Sequence, residues 1–344
     1  VIILGIETSC DETAAAVVAD GRHVRSNIVA TQHDLHARFA GVVPELASRA
    51  HLERIRPVIE EALRDASCTM DDLDAVAVGN RPGLIGSLLI GVTAAKAIAW
   101  SADIPLIGVD HILAHLHAPA LDADPLTFPA LGLVVSGGHT TLFHLRDALH
   151  ADVLGHTIDD AIGEAFDKAA TVLDLGYPGG PAIDRLAQTG DAHAHDFPIA
   201  ALPTLPFNVS FSGLKTALLY AVRGVPVGRG RAATFPRDAS AWDDSAKADF
   251  AASFQRAAVS AVERILCRAL DTYDVPSIVV GGGVSANTAI RAMCTQLATD
   301  YDVEVRLPAM SYCLDNAAMI AGAAAARLAA GDVDDLSLAA SPRR

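Results

Sequence analysis

Short apolar runs alternate along the chain with small polar turns and with longer stretches of helical period. "VIILGIETSCDETAAAVVAD", from Val1, reads as apolar strand, small polar turn and apolar strand. "ALGLVVSGGHTTLFHLRD", from Ala130, has the same design, with Ser136-Gly137-Gly138-His139-Thr140 as its turn. Two like hairpins so far apart suggest an internal duplication, although hairpins also recur without one. Between them lie a helix over 45–66 that Pro44 precedes, a buried strand "DAVAVGN", a helix "GSLLIGVTAAKAIAWSAD" and another strand, "IPLIGVD". Beyond the second hairpin the pattern predicts a helix over 159–173, a loop "GYPGGPAIDRLA", a Pro- and Arg-rich stretch over 198–236 and a long helix over 246–273. "SIVVGGGVSANTAIRAMCTQLA" reads as strand, triple glycine and helix. The last helix starts near Asp315 and stops at Gly331, a natural C-cap. Strands alternating with helices put the chain in the α/β class.

At 344 residues the chain exceeds one ordinary core, which predicts two domains or lobes. With 51% of residues apolar, both can bury a core. The formal net charge of −15 argues against a protein that grips nucleic acid by charge alone, without excluding a local basic patch. Cys10, Cys68, Cys267, Cys294 and Cys313 form no CxxC pair, and such a scattered set fits a reducing cytoplasm. No charged segment followed by an apolar run opens the chain, so no signal peptide is expected. Two apolar helical stretches, 85–100 with Lys96 and 317–330 with Arg327, are too short to span a bilayer, and no membrane association is expected.

Three stretches set small residues directly after an apolar strand: Thr8-Ser9-Cys10-Asp11, Ser136-Gly137-Gly138 and Gly281-Gly282-Gly283. Such turns expose backbone N–H groups to an approaching phosphate. Each alone is as well an ordinary tight turn; together, in a duplicated α/β chain, they fit a nucleotide cleft between two actin-like lobes. No GxGxxG or GxxxxGK[ST] pattern is present. "VDHILAHLHA" places His111 and His115 four apart on a helical stretch, about 5–6 Å apart at Cβ. That suits two ligands of one metal, but as a lone pattern HxxxH more often marks two unrelated histidines. His117 falls two residues beyond His115 and faces elsewhere.

The motifs "GIETSCDET", "GVVPELASRAH", "HILAH", "LVVSGGHT", "GEAFDKAA", "YPGGP", "FSGLKTA", "GGGVSAN" and "CLDNAAMIA" occur in this order along nearly the whole chain. In this the sequence resembles the tRNA N6-adenosine threonylcarbamoyltransferase family, once labelled O-sialoglycoprotein endopeptidase, and "FSGLKTA" is similar to its bacterial branch. Arg81 stands where the family usually has a glycine, and Ile162 where it usually has a smaller residue. The resemblance implies an actin-like ATPase fold, a duplicated ribonuclease H-like arrangement of two lobes with a nucleotide cleft. The expected lobes are 1–110 plus 316–344, and 111–315.

The resemblance also implies the activity: transfer of threonylcarbamoyl from threonylcarbamoyl-AMP to N6 of adenosine 37 of tRNA, releasing AMP. It implies metal ligation by His111, His115 and Asp315, with Fe(2+), one per subunit, favoured and Zn(2+) compatible. The implied substrate-binding positions are Val134, Val135, Ser136, Gly137, Gly138, Asp167, Gly180, Asp184 and Asn287. A degenerate actin-like paralogue and a small ATPase are the implied partners. A metalloprotease is disfavoured, because Ile112 stands where an HExxH protease carries its glutamate. A small-molecule kinase on the same fold would need neither histidine, and a non-catalytic scaffold would be free to lose the triad.

Asp11, with Glu12 behind it, is the candidate catalytic carboxylate; the alternative is a turn residue that caps its own backbone. His139 is a weaker candidate for substrate contact. Lys215 either neutralises phosphate charge or is a surface lysine. Arg223, Arg229, Arg231 and Arg237, in a Gly/Pro-rich segment without acids, are the densest positive charge and the expected tRNA contact, unless they pair with Asp238, Asp243 and Asp244. Leu52 and Ile59, on the first long helix, are the expected docking residues for the paralogue.

Overall fold

The computed structural model describes residues 1–37, 41–228 and 234–343. The first half contains β1 (Ile2–Glu7), β2 (Glu12–Ala19), β3 (His23–Thr31), α1 (His33–Ala37), α2 (Pro44–Asp65), β4 (Ala75–Arg81), α3 (Ile85–Ala102), β5 (Leu106–Asp110) and α4 (His111–His115). There follow β6 (Ala130–Val135), β7 (Thr140–Leu145), β8 (Ala151–His156), α5 (Ile162–Leu173), α6 (Gly179–Ala187), α7 (Ser212–Arg223), α8 (Asp244–Leu270), β9 (Ser277–Gly281), α9 (Thr288–Tyr301), β10 (Glu304–Arg306) and α10 (Ala317–Ala329).

The strands form two five-stranded sheets of identical topology. In the first, β1 pairs antiparallel with β2 and parallel with β4, giving the order β3-β2-β1-β4-β5. In the second, β6 pairs antiparallel with β7 and parallel with β9, giving β8-β7-β6-β9-β10. The duplication that the two hairpins suggested is therefore present, and the arrangement is the two-lobed actin-like one.

The inner strands are apolar at consecutive positions because both faces of each sheet are covered. On the first sheet Leu4, Ile6 and Val76 pack against α2 and α3, while Ile3, Ala75 and Ile107 pack against α10. On the second, Leu131, Leu133 and Ile278 pack toward α5, α8 and α9. The opposite face of that sheet meets Ile112 and Leu116, at α4 and its end. Ala114 and Ala118 belong instead to the cluster beneath α10. The segment 111–118 thus lies in the seam between the sheets and is gripped by both.

Several elements differ from the sequence reading. α5 begins at Ile162 rather than 159, because Asp159 and Asp160 are occupied elsewhere. Asp159 accepts from the backbone N–H of Phe211 (2.8 Å) and from the hydroxyls of Ser210 and Ser212 (2.5 and 2.7 Å), tying α7 to this turn. "GYPGGPAIDRLA" is not a loop: α6 occupies most of it. Pro181 falls in the first turn, where its missing N–H costs nothing, and Asp167 of α5 accepts the first two N–H groups. The Pro- and Arg-rich stretch contains α7. β3, β8 and β10 have no counterpart in the reading.

Ile59, expected to face a partner, is buried in the first core, whereas Leu52 is 65% exposed. α3 runs to 18 residues, long and apolar enough to cross a membrane by length and composition. Here its Leu88, Val92, Ala95 and Ala99 face inward, and its Gly91 lies against Thr8 and Val78. Ile162 is fully buried in the second core, which accounts for a large residue at that position.

Candidate functional site

Asp110 ends β5 and starts α4 by accepting the N–H groups of Ile112 (3.0 Å) and Leu113 (3.2 Å), an N-cap. Arg81, at the end of β4, lies with its Nε 3.6 Å from the same carboxylate. The cap sets His111 in the first turn and His115 one turn later, with ring centroids 4.8 Å apart. Asp315 comes from the segment before α10, which is pinned by Tyr312 donating to Asp122 (2.6 Å) and by the Asn316 cap of α10. Its Oδ1 stands 3.2 Å from His115 Nε2 and 3.6 Å from His111 Nε2. The three side chains together offer ligand atoms within 4.8 Å of one another.

The chemistry of this set fits a divalent first-row ion. The ring nitrogens of His115 are buried and neither makes an aligned hydrogen bond among the described residues, Nε2 having only the Asp315 carboxylate 3.2 Å away, a costly state that a ligand to nitrogen would relieve. Burial by itself would lower the His111 pKa, but the carboxylates of Glu7 and Asp315 push it up to about 9, so the pocket favours positive charge. Burial would likewise raise Asp315; the two histidines instead hold its carboxyl well below the usual carboxylate range. Burial and the neighbouring Asp11 and Asp315 push the Cys10 thiol up. His117 turns to the other side, beside Ala148, and burial lowers its pKa to about 4.

Glu12 faces the same pocket. Burial, then Asp315 and Asp11, push it up to about 10. His139 approaches from the second hairpin, its pKa lowered to about 4 by burial and by His111 and His115. Tyr177 is raised to about 12 by burial and by Asp167 and Asp11, one carboxylate from each lobe, so the pocket opens into the cleft between them.

The implied substrate positions line that cleft unequally. Val134 and Val135 are fully buried strand residues, paired with Thr141 and Thr140. Ser136 uses its own N–H and hydroxyl to close the turn with His139. Gly137 and Gly138 are exposed, with no atom within 4 Å of where a Cβ would stand, and among the described residues nothing accepts from their N–H groups. Gly180 faces open space in the same way. Asp167 holds Gly179 and Gly180 at 2.8 and 3.3 Å. Asp184 takes the N–H and hydroxyl of Thr288, and Asn287 caps α9 while donating to Gln255 (2.8 Å).

The triple glycine behaves differently from a ligand cradle. A Cβ on Gly281 would stand 2.6 Å from the His115 carbonyl carbon, and one on Gly282, whose φ is +93°, would strike the Val135 backbone. These two glycines let β9 approach the protein itself.

Three further basic candidates have partners within the chain. Lys215 pairs with Asp160 at 3.1 Å. Arg223 lies 3.5 Å from Asp174, and Arg237 donates to the Ala221 carbonyl and sits over the Trp242 ring. Neither is paired with Asp238, Asp243 or Asp244, and both serve the packing of the second lobe. Arg229 and Arg231 lie outside the described residues.

A sequence profile of tRNA N6-adenosine threonylcarbamoyltransferase matches residues 23–322. The chain belongs to this family. A relative of that name from Bacillus anthracis is 47% identical over 347 residues, covering 99% of this chain and 95% of its own. Another, from Symbiobacterium thermophilum, is 47% identical and covers 99% and 96%. Among solved structures, HypF of T. kodakarensis superposes with a TM-score of 0.62 at 16% identity, over 98% of this chain and 49% of that one. The (R)-2-hydroxyglutaryl-CoA dehydratase component A of Acidaminococcus fermentans gives 0.53 at 15% identity, over 96% and 99%. At such identities these two likenesses concern the fold alone.

The family motifs carried the reading to His111, His115 and Asp315. They did not single out Glu7, which lies in "GIETSCDET" and touches His111 Nδ1 at 3.2 Å. The signal available was a lone carboxylate ending an otherwise apolar strand.

Proposed function

We propose that the chain transfers the threonylcarbamoyl group from threonylcarbamoyl-AMP to N6 of adenosine 37, next to the anticodon of tRNAs reading ANN codons, and releases AMP. The observation that carries this reading is identity of 47% to relatives named for that reaction across 99% of the chain. The proposed metal is Fe(2+), with Zn(2+) compatible with the same ligands, held by His111, His115 and Asp315. When bound, it supplies a Lewis acid and a template for substrate oxygens.

The substrate is a mixed carbamic–phosphoric anhydride, already activated. The N6 amine forms the new C–N bond at the carbamoyl carbon, the C–O bond to phosphate breaks, and AMP departs with that electron pair. The free N–H groups of Gly137 and Gly138 are suited to the anionic phosphate. Asp11, with Glu12 behind it, is the proposed acceptor for the N6 proton. Ile112 is packed in an apolar cluster, so nothing in α4 activates water as the glutamate of an HExxH protease does.

The paralogue is proposed to dock on α2 and α3, where Leu52, Ile85 and Leu89 are exposed, and a small ATPase is proposed to act with the pair. The free cysteines suit a cytoplasmic location. The test is transfer of labelled threonylcarbamoyl to tRNA by the purified chain supplied with its partners. Asp315→Ala should abolish both transfer and metal content while the fold survives; full metal content in that variant would remove the ligand assignment.

A further inference from the structure

Glu7 is 1% exposed at the end of β1, among the apolar residues of the first core. An ionic side chain is placed so deeply only when specific partners compensate its lost hydration. Oε1 accepts the Ser9 N–H at 2.5 Å. Oε2 lies at ion-pair distance from His111 Nδ1, 3.2 Å, and is buried without a hydrogen-bond partner among the described residues. The neighbouring strand makes room for it: a Cβ on Gly79 of β4 would collide with this same oxygen. A buried acid, one imidazole nitrogen and a glycine that clears the space between strands therefore converge on a single contact.

We propose that Glu7 is a positioning residue that fixes His111 so that its Nε2, and not its Nδ1, faces Asp315 and His115. Resting on the metal reading above, this adds a residue outside the ligand set. The physical basis is the acceptor-only character of a carboxylate. Ser9 Oγ also lies 3.2 Å from Nδ1, but a hydroxyl donates or accepts and tolerates either tautomer. Glu7 accepts only, which keeps the proton on Nδ1 and the lone pair on Nε2, the arrangement in which a second carboxylate orients a metal-ligating histidine. His115 has no such support, since its Nδ1 is without a partner among the described residues. The effect of Glu7 is therefore confined to one of the two imidazoles.

The test uses the full chain and Zn(II) as the probe, with affinity read by competition against a chromophoric chelator. Glu7→Gln keeps the size of the side chain. It should bind zinc about 10- to 100-fold more weakly, the scale of losing a partner behind a metal ligand, while the apo protein remains folded at the assay temperature. Ser9→Ala should leave affinity unchanged. A second reading needs no variant: ring 15N shifts of the zinc-loaded wild type should show His111 protonated at Nδ1 and ligated through Nε2. Wild-type zinc affinity in Glu7→Gln, a large loss in Ser9→Ala alone, or zinc on Nδ1 of His111 would each overturn the proposal. Were the wild type itself to bind no zinc, the metal reading would fall first and this inference with it.

Discussion

Replacing Gly281 with alanine asks whether the triple glycine serves packing or a ligand. An added methyl would stand 2.6 Å from the carbonyl carbon of His115 and 3.1 Å from its Cβ. Carbon atoms pack at about 3.5–4.0 Å, so β9 or α4 must yield by about an ångström. Neither has room: Gly281 pairs with Val134 in the second sheet, and the α4 segment is held from both sides by Ala114 and Ile112. Overpacking of this kind costs about 1–3 kcal/mol. Each kcal/mol lowers Tm by about 2–4 °C in a unit of 150–250 residues. The displaced residue is His115, so zinc affinity should also fall, by about 10- to 100-fold. Gly180→Ala is the control. Its methyl meets nothing within 4 Å and lies in the first turn of α6. Its Tm and zinc affinity should hold, while the KM for threonylcarbamoyl-AMP rises if the ligand fills that space. Calorimetry of the apo proteins and chelator competition separate the two glycines. A Gly281→Ala protein with wild-type Tm and zinc affinity would refute the claim that β9 braces α4.

The Asp160 carboxyl opposes the effect of burial through Lys168 and Lys215 and is held below its ordinary value. Its contribution is therefore present above the unfolded pKa, about 3.9, and lost as pH falls through the lower folded value. Urea unfolding should show Asp160→Asn weaker than wild type by about 1 kcal/mol at pH 7, converging with it below pH ~4; a constant gap would remove the ionic explanation. Changing Arg229 and Arg231 to Ala should weaken tRNA binding and flatten its log–log salt slope by roughly 1–2 units, with turnover of the free adenylate unaltered. An unchanged slope would assign tRNA contact to another surface. Glycoprotein substrates should remain uncleaved by the purified chain, and metal-dependent cleavage lost in His115→Ala would revive the protease reading.

The hairpins β1–β2 and β6–β7 were legible because apolar runs flank small polar turns. β3 was not, since it alternates polar residues such as Arg25 and Asn27 along a sheet edge, and β10 is only three residues long. α6 hid behind Gly and Pro because its first N–H groups are satisfied by Asp167, a residue of another helix that no local pattern reveals. At the site, the spacing of His111 and His115 allowed a metal without deciding for one, and Asp315 lies far along the chain from both, so all three needed the family resemblance. Glu7 and Gly79 meet only through the parallel pairing of β1 and β4. Likewise, Gly137 and Gly281 look alike in sequence, and only the tertiary packing separates the one facing open space from the one facing His115.

The central claim is the reaction itself, and the nucleosides of tRNA report it directly. Cells depleted of this protein should yield bulk tRNA whose digest, separated and weighed by mass spectrometry, has lost threonylcarbamoyladenosine and gained unmodified adenosine at position 37. The wild-type chain should restore the nucleoside, and Asp315→Ala should not. Undiminished threonylcarbamoyladenosine after complete depletion would contradict the account.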